Sequence, residues 1–146
     1  MESESRRIGA VQMPDALLAR MRAGRAVTLN TPLAQRVALL KEEYAHYLGA
    51  PELLTDRLQR LTVLHGKPLT ARWSAMAAAG DWDALIGELL ATHYDPTYAR
   101  SLERNFPAVR QAVALAVDNT SREGFAALAR EVRTTIEARE ASARRS

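Results

Sequence analysis

The tightest constraint on this 146-residue chain is how few of its segments can be strands. Apolar residues recur at helical spacing almost throughout, and two short runs break the pattern: Ala26-Val27-Thr28-Leu29 and Ala112-Val113-Ala114-Leu115-Ala116-Val117. The first reads as a short buried strand. The second is alanine-rich and also fits a helix. A strand is preferred there because a well-marked helix follows, and strand-then-helix is the expected closing unit of an α/β domain. Two short strands are too few for an independent parallel sheet, since a strand buried on both faces needs neighbours and an open edge at Val27 leaves backbone groups unpaired. The expectation is a sheet completed by something on the N-terminal side.

The helices announce themselves by caps and stripes. Pro14 opens a short one with Leu17, Leu18 and Met21 inward, ending near Gly24. Thr31-Pro32 leads into a long one whose stripe is Leu33, Val37, Leu40, Tyr44 and Tyr47-Leu48, closed by Gly49. A third starts near Pro51, turns Leu54, Leu58 and Leu61 inward and stops at His65-Gly66. Helices from about Ala71 to Ala79 and from Asp81 to Ala91 follow, with Trp73 and Trp82 as anchors of the helical layer, because burying an indole contributes far more than a solvated contact. Asp95-Pro96 marks the next start, the carboxylate capping free amides and the proline losing no hydrogen bond at the first helical position. After the second strand, Thr120 and Glu123 read as a capping box ahead of the stripe Phe125, Leu128, Ala129, Val132 and Ile136. Residues 137–146 carry no stripe and are expected to form a frayed or disordered tail after a domain at 1–136. The fold class is therefore α/β, helix-rich, with about two short strands and six to seven helices.

Composition removes several function classes. No apolar run approaches the roughly 18 residues of a membrane span and no signal segment opens the chain, so a soluble, cytoplasmic protein without membrane contact is expected. The absence of cysteine excludes disulfides, thiolate zinc sites and a cysteine nucleophile. His46, His65 and His93 lack metal-ligand spacing, and no Ser-His-Asp or paired-carboxylate arrangement can be argued, so neither a catalytic residue nor a metal is assigned. A phosphate-binding P-loop needs glycines followed by lysine and then serine or threonine; here Gly66-Lys67 is followed by Pro68, which rules the motif out. Net charge is only +3, but 18 arginines stand against 2 lysines, a bias that permits bidentate phosphate contacts.

Three segments are candidates for such contacts. In the first, His93, Tyr94, Asp95, Tyr98, Arg100 and Arg104 gather around one helix start, with the two arginines on one face at four-residue spacing. In the second, Glu2, Glu4, Ser5, Arg6 and Arg7 join carboxylates, a hydroxyl and guanidiniums, a set able to hold a magnesium-phosphate group. In the third, Lys67 and Arg72 flank a helix start near Thr70, where amides and cations together can hold an anion.

Taken in order, Glu2-Ser3-Glu4-Ser5-Arg6-Arg7-Ile8-Gly9, Leu33-Ala34-Gln35-Arg36-Val37 leading to Glu43-Tyr44-Ala45, Leu64-His65-Gly66-Lys67 leading to Ala71-Arg72-Trp73, and Asp81 through Phe106 resemble the bacterial tRNA 2-selenouridine synthase family over roughly the first 120 residues. That resemblance implies the C-terminal part of a P-loop NTPase-like domain, with the rhodanese-like domain, its catalytic cysteine and the P-loop lying outside this sequence, as in a truncated gene product or an excised piece. It further implies that the Glu-x-Glu-Ser segment faces the phosphate pocket. For an intact member it implies conversion of wobble 2-thiouridine to 2-selenouridine in tRNA through a geranylated intermediate, with geranyl diphosphate and selenophosphate as substrates and no covalent cofactor. The chain alone is expected to be inactive while retaining phosphate or tRNA binding. Its other expected partners are the missing N-terminal part or a second copy of itself. The alternative reading is a free-standing helical protein-interaction or dimerisation module, driven by the open Val27 edge and unburied stripes.

Overall fold

The scarcity of strand holds in a computed structural model, which describes residues 7–49 and 51–145. A short antiparallel hairpin, β1 (Arg7–Ile8) and β2 (Val11–Gln12), turns at Gly9-Ala10 and leads to α1 (Asp15–Arg22) and β3 (Val27–Asn30). There follow α2 (Leu33–Glu43), α3 (Ala45–Leu48), α4 (Pro51–Arg60), α5 (Thr62–His65), α6 (Lys67–Ala79) and α7 (Trp82–Leu89). A π-helical turn, Leu90–Tyr94, precedes α8 (Asp95–Asn105); a 3₁₀ turn (Pro107–Gln111), β4 (Val113–Ala116) and α9 (Arg122–Ala143) complete the order. Contacts divide the chain into two units, one of residues 1–32 with 95–146 and one of residues 33–94.

In the first unit β3 and β4 pair in parallel, Val27 opposite Val113 through Asn30 opposite Ala116, so the run at 112–117 is a strand, as preferred. Its core is Leu115, Val117 and Leu128, with Val27, Val113 and Val132 against it. The 26–29 strand is not buried as expected: Val27 and Thr28 are half-buried, while Leu29 is 51% exposed, because a two-stranded sheet covers little of its own outer end. On α1 Leu18 is buried but Leu17 and Met21 are exposed, since eight residues make about two turns and only the middle of the stripe is covered. The cap of α9 falls one residue later than the expected Thr120. The Ser121 amide donates to Asn119 Oδ1 (2.9 Å), and Ser121 Oγ accepts from the Gly124 amide (3.1 Å), so the side chain of Asn119 sets where the helix begins. Gly124 must be glycine there, because a Cβ would lie 2.3 Å from the Asn119 carbonyl oxygen. The helix continues to Ala143 through most of the stretch expected as a tail, helped by Arg139 Nη2 donating to the Gln111 carbonyl (3.3 Å) and by the Glu140–Arg144 pair.

The second unit has helices and no strand among its described residues and is built on Leu58, Trp73, Ala77 and Leu85, with Leu54, Leu61, Leu69, Met76, Trp82 and Leu89 around them. Trp73 and Leu85 are completely buried, and each would cost several kcal/mol to truncate, roughly 2 to 5. The expected inward stripe of Leu54, Leu58 and Leu61 is therefore found, as is the anchoring role of both tryptophans. Lys41 Nζ reaches Asp83 Oδ2 (2.7 Å), tying α2 to α7. The helix expected from Ala71 begins at Lys67, because Gly66 (φ 80°) turns the chain and Pro68 suits the first turn. It ends in a Schellman motif: Gly80 is left-handed (φ 72°), its amide bonds the Ala77 carbonyl and the Asp81 amide bonds that of Met76.

Candidate functional site

On α8 the residues Thr97, Arg100, Ser101, Arg104 and Asn105 recur at three- and four-residue spacing, so they share one face and line an open groove of about 520 Å³. The floor is ordered by hydrogen bonds. Asn105 Nδ2 donates to the Ser101 carbonyl (3.0 Å) and lies 3.3 Å from the buried Ser101 hydroxyl. Asn105 Oδ1 in turn accepts from Arg22 Nη2 (3.5 Å), so the last turn of α1 brings a third guanidinium to the groove's edge. Arg100 Nη2 reaches Thr97 Oγ1 (3.5 Å).

Ion pairing separates these arginines from some, though not all, of the others on the surface. Arg60, Arg72, Arg110 and Arg144 each pair with a carboxylate, the Arg110 partner being Glu103 of α8 itself. Among the described residues Arg100 and Arg104 have no carboxylate within ion-pair distance. Two guanidiniums without counter-charge, beside hydroxyl and amide donors, form a surface suited to an oxyanion such as phosphate.

The other expected site residues are distributed differently. Asp95 does not stand at the expected position one residue ahead of the helix. It is itself the first residue of α8, and the chain enters from a π-helical turn. Pro96 has no amide to offer the preceding turn, which disfavours regular i to i−4 geometry at that place. Tyr98 is half exposed on α8. His93 and Tyr94 belong to the second unit and Asp95, Tyr98, Arg100 and Arg104 to the first. Glu2, Glu4, Ser5 and Arg6 lie outside the described residues, and Arg7 opens β1 opposite Gln12.

Lys67 and Arg72 do not flank a helix start at Thr70. Thr70 is buried within α6, its hydroxyl donating back to the Gly66 (3.1 Å) or Lys67 (3.2 Å) carbonyl. Arg72 is occupied by Glu88, whose other oxygen accepts from the Trp73 indole (3.2 Å). Arg22, Ser101 and Asn105 are not among the residues that the sequence singles out. For Ser101 and Asn105 the signal was available, because both continue the helical face of Thr97, Arg100 and Arg104. For Arg22, distant in sequence, there was none.

A second cluster lies in the helical unit. His65 Nε2 and His93 Nδ1 are 2.9 Å apart, with the ring planes at 84°. His65 meets the Trp73 ring edge-on, centroids 5.3 Å apart, and His93 meets Tyr94 at 4.9 Å. Burial, and then the neighbouring His65, push the His93 imidazole below its ordinary pKa. Among the described residues no group of three or more histidine and acidic side chains could hold a metal ion, and no helix is long and apolar enough to cross a membrane.

A helix-rich α/β chain with a small parallel sheet is consistent with part of a P-loop-like domain. Residues 1–56 match the family model described as the tRNA 2-selenouridine synthase AAA domain, and this bears out the resemblance read from the sequence over that stretch. No curated protein and no solved structure matches the chain.

Proposed function

We propose that this chain is a portion of a tRNA-modifying transferase that makes 2-selenouridine, and that the α8 groove holds phosphate of the tRNA backbone. The observation that carries the groove assignment is the placement of Arg100 and Arg104 together without carboxylate partners, beside Thr97, Ser101 and Asn105. The match over residues 1–56 supports tRNA as the nucleic acid. In the complete enzyme the wobble 2-thiouridine passes through a geranylated intermediate, with geranyl diphosphate and selenophosphate as the substrates. The residues in hand contain neither a cysteine nor a P-loop, so the purified chain makes no 2-selenouridine from tRNA and selenophosphate; product formation would overturn that statement.

The groove is tested by binding the purified chain to bulk tRNA across a salt series, with Arg100→Ala/Arg104→Ala as comparison. Phosphate contacts release counterions, so affinity falls steeply with salt, and losing two contacts lowers the logarithmic slope by roughly 1.5 to 2. A folded chain that binds no tRNA, or a double variant that binds equally well, removes the proposal. The competing protein-interaction reading draws on Val63 and Leu64, 92% and 69% exposed beside α4, and gains if self-association or partner binding persists in the double variant.

A further inference from the structure

We propose that His65 and His93 together bind a late first-row divalent cation, of the class of Zn²⁺, Ni²⁺ or Cu²⁺. The two ring nitrogens face each other at 2.9 Å from elements 28 residues apart in sequence but within one unit. Two imidazoles on one tetrahedral metal, each at about 2.0 to 2.1 Å, hold their nitrogens about 3.3 Å apart. An opening of about 0.4 Å, with each ring turned by roughly 35° so that both lone pairs converge on one point beside the N–N line, converts the hydrogen-bonded pair into a chelate.

Both rings are brought together by the elements that carry them. His65 ends α5, with its ring edge-on to the fully buried Trp73. His93 stands in the π-helical turn, a wider winding that shifts a side chain off regular spacing and that recurs at functional sites. The hydrogen bond needs one facing nitrogen protonated, whereas chelation needs neither. The donor ring therefore moves its proton to its other nitrogen, and neutral rings lose no proton overall. With no carboxylate completing a cluster among the described residues, water fills the remaining positions, so imidazole preference decides the metal. Affinity should follow Cu²⁺ above Zn²⁺ and Ni²⁺, with Mg²⁺ excluded.

The experiment is titration of the full chain, free of any affinity tag, with Zn²⁺, Ni²⁺ and Mg²⁺ by calorimetry at pH 7.5, beside His65→Gln, His93→Gln and the control His46→Ala. One Zn²⁺ or Ni²⁺ per chain binds, each glutamine variant loses at least about tenfold in affinity, and His46→Ala keeps it. Imidazole nitrogen NMR of the unsubstituted protein gives a readout that needs no variant to fold: Zn²⁺ moves His65 Nε2 and His93 Nδ1. No saturable binding, binding retained in both glutamine variants, or movement of other ring nitrogens overturns the proposal.

Discussion

Trp73 and Glu88 show how one side chain can serve both packing and polarity. The indole is fully buried, yet its N–H reaches Glu88 Oε2, while Glu88 Oε1 holds Arg72. Trp73→Phe keeps much of the apolar volume but removes the donor, and should cost about 1 to 3 kcal/mol in urea unfolding, beyond which the packing loss adds. His93 makes a pH prediction. Its folded-state pKa is lowered, so the unfolded chain takes up the proton first as pH falls. Stability contributed by the neutral ring is complete above the ordinary value near 6.5 and is lost as pH drops through it toward the lowered one. In buffer containing a chelator, the urea midpoint should therefore decline from pH 7 to pH 5, and His93→Gln should flatten that decline.

At the scale of elements, ends matter more than interiors. Ser121→Ala removes the acceptor of the Gly124 amide and should destabilise the α9 unit by about 1 kcal/mol; Gly80→Ala places a side chain at φ 72° and should cost about as much or more in the helical unit. Thermal melts by circular dichroism read both. The same ends explain what could be read in advance. Strands at 27 and 113, the Leu54-Leu58-Leu61 stripe and the two tryptophans were legible because period and burial coincide there. The start of α6 lies three residues before the expected Thr70 because Gly66 and Pro68 let the helix begin directly after the preceding stop, and the hairpin at Arg7–Gln12 is too short for any periodicity. On α8 the arginine face was legible from spacing alone. Its completion by Arg22 was not, since that contact spans 83 positions in the chain.

For the molecule as a whole, two cores are strung on one chain in an unequal way. The helical core is local, formed between residues 54 and 89, whereas the sheet joins Val27 to Val113, a separation of 113 − 27 = 86 positions. Both tryptophans lie in the helical unit, so indole fluorescence follows that core, and Leu58→Ala should lower its stability by about 2 to 5 kcal/mol, read as a lower unfolding midpoint. The separation of β3 from β4 has a kinetic corollary. Contacts across a short span form before a closure that must first gather in so much chain, so the helices condense early and the parallel ladder zips last. In stopped-flow chevrons, Leu85→Ala should slow refolding, while Val113→Ala should leave refolding unchanged and appear wholly as faster unfolding. A nascent chain leaving the ribosome would then carry an unpaired β3 until residue 116 emerges, a waiting strand whose partner is made 86 positions after it.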